Sequence, residues 1–151
     1  MDKPVVNHRG CRFYHVKLVK EGRPVYSAPI TSPADAVEFF QKQFGQAVQE
    51  HFSAVFLNAR NVPLGWREIS RGSVSASIVH PREVFIAAIK LAASSLILVH
   101  NHPSDDCSPS QDDLELTRRL CKAGELLGIE ILDHLIISTA DFLSLKEKGL
   151  M

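Results

Sequence analysis

The sequence lacks an excess of charge of either sign. Its 151 residues include 17 Lys and Arg and 17 Asp and Glu, which gives a net charge of +0 with neutral histidines. Proteins that coat nucleic acids normally carry a basic excess, so the composition does not favour that class, although a neutral protein can still have a basic face. The hydrophobic fraction of 45% is typical of a folded globular chain and excludes wholesale disorder.

Cysteine and long apolar runs are also scarce. Cys11, Cys107 and Cys121 form no C-x-x-C pair, which argues against a disulfide framework and against a cysteine-rich zinc site. We therefore expect reduced thiols in a cytoplasmic protein. The N-terminal residues contain no apolar stretch of the signal-peptide type. The apolar run over residues 85–99 is interrupted by Lys90 and two serines, so no membrane span is expected.

Strands and helices are predicted to alternate along the chain. We predict strands over residues 12–20, 25–30, 51–59, 64–71, 73–79, 95–100 and 129–138, and helices over residues 33–45, 81–93 and 111–127. This interleaving predicts an α/β fold with a mixed β-sheet and helices packed on it. No type is predicted for residues 141–151.

The segment from His100 to Asp113 carries the clearest chemical pattern. His100 and His102 are two residues apart at the end of a predicted strand, where side chains at this spacing point to the same side. Ser110 is expected to cap the next helix, with Asp113 in its first turn. Two imidazoles and one carboxylate form a common catalytic zinc shell that leaves a fourth position for water. Such a site also needs a carboxylate outside the shell to move protons.

Other interpretations of these residues remain open. Two histidines at a strand edge are more often ordinary surface or core residues, and an N-cap with a first-turn acid explains Ser110 and Asp113 fully. His134, on the last predicted strand, either packs in the core or supports a metal ligand. The contiguous tripeptide HNH does not support an HNH nuclease, whose three residues are separated. A zinc deaminase is set aside because its H-x-E and P-C-x-x-C signatures are absent.

The pattern H-x-H-P, six residues, S-x-x-D resembles the JAMM motif of the JAB/MPN metallopeptidase superfamily. The six-residue spacing resembles its bacterial RadC-like branch, and the similarity covers roughly residues 32 to 150. Matching segments are VHPREVF, LILVHNHPS, PSQDDLELTRRL and LLGIEILDHLIIS. The resemblance implies a JAB/MPN-like fold, related to that of cytidine deaminases. It also implies a short, strand-like N-terminal lead over residues 1–30, followed by a RadC-like domain over residues 31–151.

The resemblance assigns roles to individual residues. It implies that His100, His102 and Asp113 bind Zn²⁺, and that Ser110 polarises the scissile carbonyl or stabilises its oxyanion. The family's general base is a glutamate at the start of an early strand, and Glu50 matches that position.

Two further positions qualify this assignment. Glu83 is the rival base, although the first turn of a helix favours an acid there in any case. Asp105 stands where RadC-like chains usually have glycine, and a positive φ at this position would strain it.

Two functions follow from the resemblance. The first is a zinc-dependent hydrolase that cleaves peptide or isopeptide bonds in a peptide or protein substrate. The alternative is a JAB-fold module without turnover, associated with DNA repair or mobile elements. We expect a short, single-domain relative without the helix-hairpin-helix region of full-length RadC proteins. That expectation, like the neutral charge, weakens direct DNA binding.

Overall fold

The computed structural model describes residues 28–44, 46–75 and 77–151, in which three helices pack on a five-stranded sheet. The helices are α1 (Pro33–Phe44), α2 (Pro81–Lys90) and α3 (Gln111–Leu127), and the strands are β1 (His51–Leu57), β2 (Pro63–Arg71), β3 (Ser95–Asn101), β4 (Glu130–Ile137) and β5 (Phe142–Ser144). The predicted α/β class with a mixed sheet is confirmed. None of the helices in this part of the chain combines the length and hydropathy needed to cross a membrane.

The topology of the sheet determines where a site can form. The strands lie in the order β2-β1-β3-β4-β5. Strand β1 is antiparallel to β2 and β3, β3 and β4 are parallel, and β5 returns antiparallel to β4. A parallel pair needs a crossover connection, and α3 supplies it between β3 and β4. The start of α3 therefore follows the carboxyl end of β3, the edge at which open α/β sheets bind ligands.

Alternating residues of the central strands face two separate cores. One core lies between the sheet and helices α2 and α3, and it includes the fully buried Leu98 and Leu116. The other lies between the sheet and α1, and it includes Phe40 and Val99. Since successive strand residues point to opposite faces, His100 shares the face of Leu98. Its ring consequently lies on the α3 side of the sheet.

Helix α3 has the predicted range and is capped by Ser110 as predicted. The hydroxyl of Ser110 accepts a hydrogen bond from the N–H of Asp113 at 3.1 Å, and the Asp113 carboxylate accepts one from the N–H of Ser110 at 2.7 Å. These reciprocal bonds form a capping box, which fixes the first turn and with it the position of Asp113. Gly128 follows the helix with a φ of 68°, a left-handed conformation that glycine adopts without steric cost.

The strand predicted over residues 73–79 is wrong. Gly72 has a φ of 97°, and the residues described after it, up to Val79, form bends, turns and irregular backbone. The N–H of Val74 bonds to the carboxylate of Glu50 at 2.8 Å. A backbone donor that is used in this way cannot also enter a strand ladder.

Other boundaries differ in smaller ways. Helix α2 ends at Lys90 and does not reach Ala93, and Ala92 has a φ of 51° that is incompatible with a right-handed helix. The strand predicted over residues 12–20 lies outside the described residues. Most of the strand predicted over residues 25–30 also does, and residues 28–30 themselves are not in a strand. The division between a lead and a domain near residue 30 stays a prediction.

Candidate metal centre

His100 and His102 meet Asp113 at the carboxyl end of β3. The Nε2 atoms of the two imidazoles lie 2.8 Å apart. Nε2 of His100 is 3.3 Å from one oxygen of Asp113, and Nε2 of His102 is 3.4 Å from the other. One ligand atom from each residue lies within 4.8 Å of the other two, so the group can hold a metal ion. The structure thus brings together the three side chains that the sequence analysis singled out as ligands.

The loop after β3 holds the ring of His102. Its Nδ1 lies 2.7 Å from the main-chain oxygen of Asp106. A carbonyl can only accept, so Nδ1 carries a proton and Nε2 is the atom that faces Asp113. The hydrogen bond with Asp113 raises the pKa of His102, and partial burial opposes the rise. In the metal-free protein, a proton on Nε2 can therefore take the place of a cation.

Asp113 is 3% exposed and still keeps its charge. Burial alone would raise the pKa of its carboxyl group, but the neighbouring imidazoles of His100 and His102 and the hydrogen bonds from Ser110 hold that pKa well below its usual range. The N–H and the hydroxyl of Ser110 each donate to Oδ2 at 2.7 Å. The N-terminus of α3 also favours a negative charge here. Ser110 is therefore an N-cap and a partner of the carboxylate, while its predicted contact with a substrate carbonyl stays a prediction.

The donor set fits a divalent transition metal. Two imidazole nitrogens and a carboxylate are ligands that Zn²⁺ takes in catalytic sites with one open position. Calcium and magnesium prefer sites built from oxygen alone. Two nitrogen lone pairs and an anionic oxygen at these distances repel one another unless a proton or a metal cation lies between them. The residues present therefore fit the metal that the motif implies.

Glu50 lies beside this cluster and outside it. The residue immediately precedes β1, and its main-chain oxygen accepts a hydrogen bond from the N–H of Gly72 at 2.8 Å. Its Oε2 accepts one from the N–H of Val74, also at 2.8 Å. Among the described residues, the group that can hold a metal comprises the two histidines and Asp113, without Glu50. The negative charge of Glu50 nevertheless helps to raise the pKa of His102. Glu50 is thus near enough to act on the charge of His102 without being one of the candidate ligands, and its role as general base stays a prediction.

Glu83, the rival candidate, has different surroundings. It lies in the first turn of α2 with its side chain 47% exposed. Its carboxylate is 4.0 Å from the guanidinium of Arg67 and 3.5 Å from that of Arg82. These are surface ion pairs, which favours Glu50 over Glu83 as the base, although the choice stays a prediction.

Asn101 is a residue of the site that the sequence analysis missed. Its buried side chain donates to the main-chain oxygen of Gln49 at 3.0 Å and accepts from the N–H of His51 at 2.6 Å. The two bonds lie on either side of Glu50 in the chain. Since Asn101 also separates His100 from His102, one side chain ties the backbone at Glu50 to the backbone of the ligands. An amide side chain at the end of an otherwise apolar strand is the signal that could have identified it.

The sequence left open whether His134 packs in the core or supports a metal ligand. Its ring is fully buried, and its Nε2 lies 2.8 Å from Nδ1 of His100. His134 is therefore a core residue and also a direct neighbour of a candidate ligand.

Residues 30–150 match the family model of the RadC-like JAB domain. The chain belongs to this family. The resemblance seen in the sequence is thereby confirmed, and the mixed sheet described above is the JAB fold.

Curated relatives support the same assignment. A UPF0758 protein of Caldanaerobacter subterraneus subsp. tengcongensis is 52% identical over 120 residues, which are 80% of this chain and 52% of that relative. A UPF0758 protein of a Geobacillus species is 51% identical over 120 residues, 80% of this chain and 53% of the relative. One from Bacillus licheniformis is 52% identical over 120 residues, covering 80% and 54%. This JAB chain thus spans about half the length of the curated relatives it matches.

The loop between β3 and α3 departs from the usual RadC-like pattern at Asp105. This residue has a φ of 61°, as expected where the family usually has glycine. Its carboxylate accepts a hydrogen bond from the N–H of Thr139 at 3.0 Å, which lowers the pKa of Asp105. The side-chain bond thus holds the loop in a conformation that would otherwise favour glycine.

Proposed function

We propose that this JAB chain is a zinc-dependent hydrolase that cleaves peptide or isopeptide bonds. The observation that carries the proposal is the convergence of His100, His102 and Asp113, with the Glu50 carboxylate beside them. Membership of the RadC-like JAB family supports it, because the JAMM motif is intact in this sequence. Zinc is proposed as the metal because its preferred donors match this set.

The ligands would be Nε2 of His100, Nε2 of His102 and the carboxylate of Asp113. A zinc ion held there would supply a Lewis acid that makes a water molecule acidic near neutral pH. Asp113 contributes one negative charge from a buried position, and the N-terminus of α3 helps to keep it ionised.

Glu50 would move the proton. Its Oε2 is engaged by the N–H of Val74, which orients the carboxylate and leaves Oε1 for the attacking water. Glu50 would accept a proton from the attacking water as its oxygen adds to the carbonyl carbon, and would return the proton to the amine when the C–N bond breaks. Ser110 lies beside Asp113 and would donate to the oxygen of the scissile carbonyl once its hydroxyl turns away from Oδ2.

The chemistry of the site points to an amide bond as the target. A peptide or protein is the proposed partner, and the cytoplasm is the proposed location. A net charge of +0 does not favour nucleic acid as the partner.

The test compares two glutamate variants. Zinc-loaded wild-type protein, E50Q and E83Q are incubated with pooled peptides and isopeptide-linked peptides, and new termini are counted by mass spectrometry. We expect cleavage by wild type and by E83Q, and a loss of at least ~10²-fold in E50Q without loss of zinc. Full activity in E50Q would refute the role of Glu50. Stoichiometric zinc without any cleavage would favour the alternative, a JAB-fold module without turnover.

A further inference from the structure

We infer that His134 and Thr117 are positioning residues that hold the His100 ring with Nδ1 protonated and its Nε2 lone pair directed at the metal. The inference rests on the metal site proposed above, and it adds two residues that neither bind the ion nor touch a substrate.

Three short contacts join the ligands through the interior. Nδ1 of His100 lies 2.8 Å from Nε2 of His134, whose Nδ1 lies 2.6 Å from the hydroxyl oxygen of Thr117. That hydroxyl lies 2.6 Å from the main-chain oxygen of Asp113. His134 and Thr117 are both fully buried. The line runs from β3 through β4 to α3, and it begins and ends at candidate metal ligands.

All three hydrogen bonds are satisfied when each group donates its proton to the next one along this line. The Asp113 oxygen can only accept, so the hydroxyl of Thr117 donates to it and has no second proton to give. Nδ1–H of His134 then donates to Thr117, which leaves Nε2 of His134 as an acceptor. Nδ1–H of His100 donates to that acceptor, and Nε2 of His100 is left with a bare lone pair.

The opposite order is disfavoured by geometry. It would direct the Thr117 hydroxyl at His134 and leave no proton between two oxygens 2.6 Å apart. At that distance their lone pairs repel. The reversed order would also put a proton on Nε2 of His100, the atom that faces Asp113 and the metal.

The surroundings of His134 favour a neutral ring. Phe52 packs edge-on against it, with ring centroids 5.6 Å apart and an interplanar angle of 86°. The ring has no exposed surface, and moving a charge out of water into the interior is costly. A ligating histidine usually donates its second N–H to a carboxylate, a carbonyl or a water. Here a neutral imidazole accepts that bond, which orients the ligand without adding a negative charge to the interior.

The test uses a matched pair of threonine variants, because Thr117→Val removes the hydroxyl with little change in volume and Thr117→Ser retains it. Zinc affinity is measured by competition with a chelator of known affinity. We expect T117V to bind zinc ~10–100-fold more weakly than wild type, and T117S to stay close to wild type. Thermal unfolding of the metal-free proteins checks that both variants are folded.

A spectroscopic readout separates positioning from a general loss of structure. Long-range ¹H–¹⁵N spectra of the metal-free protein report which nitrogen of His100 carries the proton. We expect protonated Nδ1 and bare Nε2 in wild type and T117S, and a mixture of tautomers in T117V. Equal zinc affinity and an unchanged tautomer in T117V would overturn the inference. Wild type that binds no zinc would instead overturn the proposed metal site, and the inference with it.

Discussion

The N–H of His51 donates a hydrogen bond of 2.6 Å to the side-chain oxygen of Asn101. The same side chain donates to the main-chain oxygen of Gln49 at 3.0 Å. Glu50 is thereby held from both sides by a residue that lies between the two histidine ligands. The base and the ligands come from different strands, and this buried amide fixes their relative position.

Replacing that amide should affect the stability of the protein more than its affinity for zinc. In Asn101→Ala, the N–H of His51 and the carbonyl of Gln49 lose their partner, so we expect the free energy of unfolding to fall by about 2 kcal/mol. Zinc affinity should stay within a few-fold of wild type, since the ligands keep their own partners. Urea unfolding and chelator competition measure the two quantities. A variant that loses zinc affinity as strongly as it loses stability would contradict the separate role of Asn101.

The stability of the metal-free protein should depend on pH through His102 and Asp113. The pKa of His102 is raised above 6.5, so its contribution is complete below that value and is lost as the pH rises through the raised pKa. The pKa of Asp113 is lowered, so its contribution is present above 3.8 and is lost only in strong acid.

We therefore expect metal-free protein to lose stability between neutral and alkaline pH, and zinc-loaded protein to lose less. Urea unfolding from about pH 5 to about pH 9, with chelator or with zinc, measures this difference. His102→Gln should lack the alkaline decline in chelator. An identical pH profile with and without zinc would count against ion binding at His102.

The sequence could predict the candidate metal ligands, but not the residues that hold them in place. Two histidines at i and i+2 on a strand, and an acid at the third position of a capped helix, are local patterns. These patterns left other interpretations open, and together with the resemblance to the JAMM motif they predicted the grouping of His100, His102 and Asp113. The contacts of Asn101 with His51 and of His134 with Thr117 depend on strand register and on helix packing, which local spacing does not determine.

The wrong strand prediction also arose from a contact between residues that are distant in the sequence. Residues 73–79 alternate like a strand, but the N–H of Val74 has a partner in Glu50, 24 residues earlier. Alternation predicts a strand only where a neighbouring strand is available, and a single sequence does not show that. Gly128, by contrast, ends α3 through its own backbone conformation, so its effect was predictable.

The positive φ of Asp105 should be measurable as strain. Asp105→Ala removes the bond to Thr139 and keeps the strained conformation, whereas Asp105→Gly removes the same bond and relieves the strain. We expect the glycine variant to be more stable than the alanine variant by about 1 kcal/mol. Chemical denaturation of both variants gives the difference directly. Equal stabilities would mean that the loop carries no such strain.

Gly124 should tolerate no side chain, although it lies inside a helix. A Cβ at this position would come within 2.4 Å of the main-chain oxygen of Ile129. Glycine to alanine in a helix normally stabilises by ~1 kcal/mol, but here we expect a loss of about 2 kcal/mol. Gly65→Ala is the control, since its added Cβ would meet Leu91 at an ordinary 3.7 Å. A stabilised G124A would show that α3 and the backbone of Ile129 do not approach so closely.

The most direct measurement is the zinc content of the purified protein after metal stripping, reloading and removal of excess ion. Inductively coupled plasma mass spectrometry should give about one zinc per chain for wild type and E83Q, and far less for His102→Ala and Asp113→Asn. The closure of two imidazoles and one carboxylate around a single ion predicts this pattern. Wild type without stoichiometric zinc, or ligand variants that keep it, would contradict the metal centre.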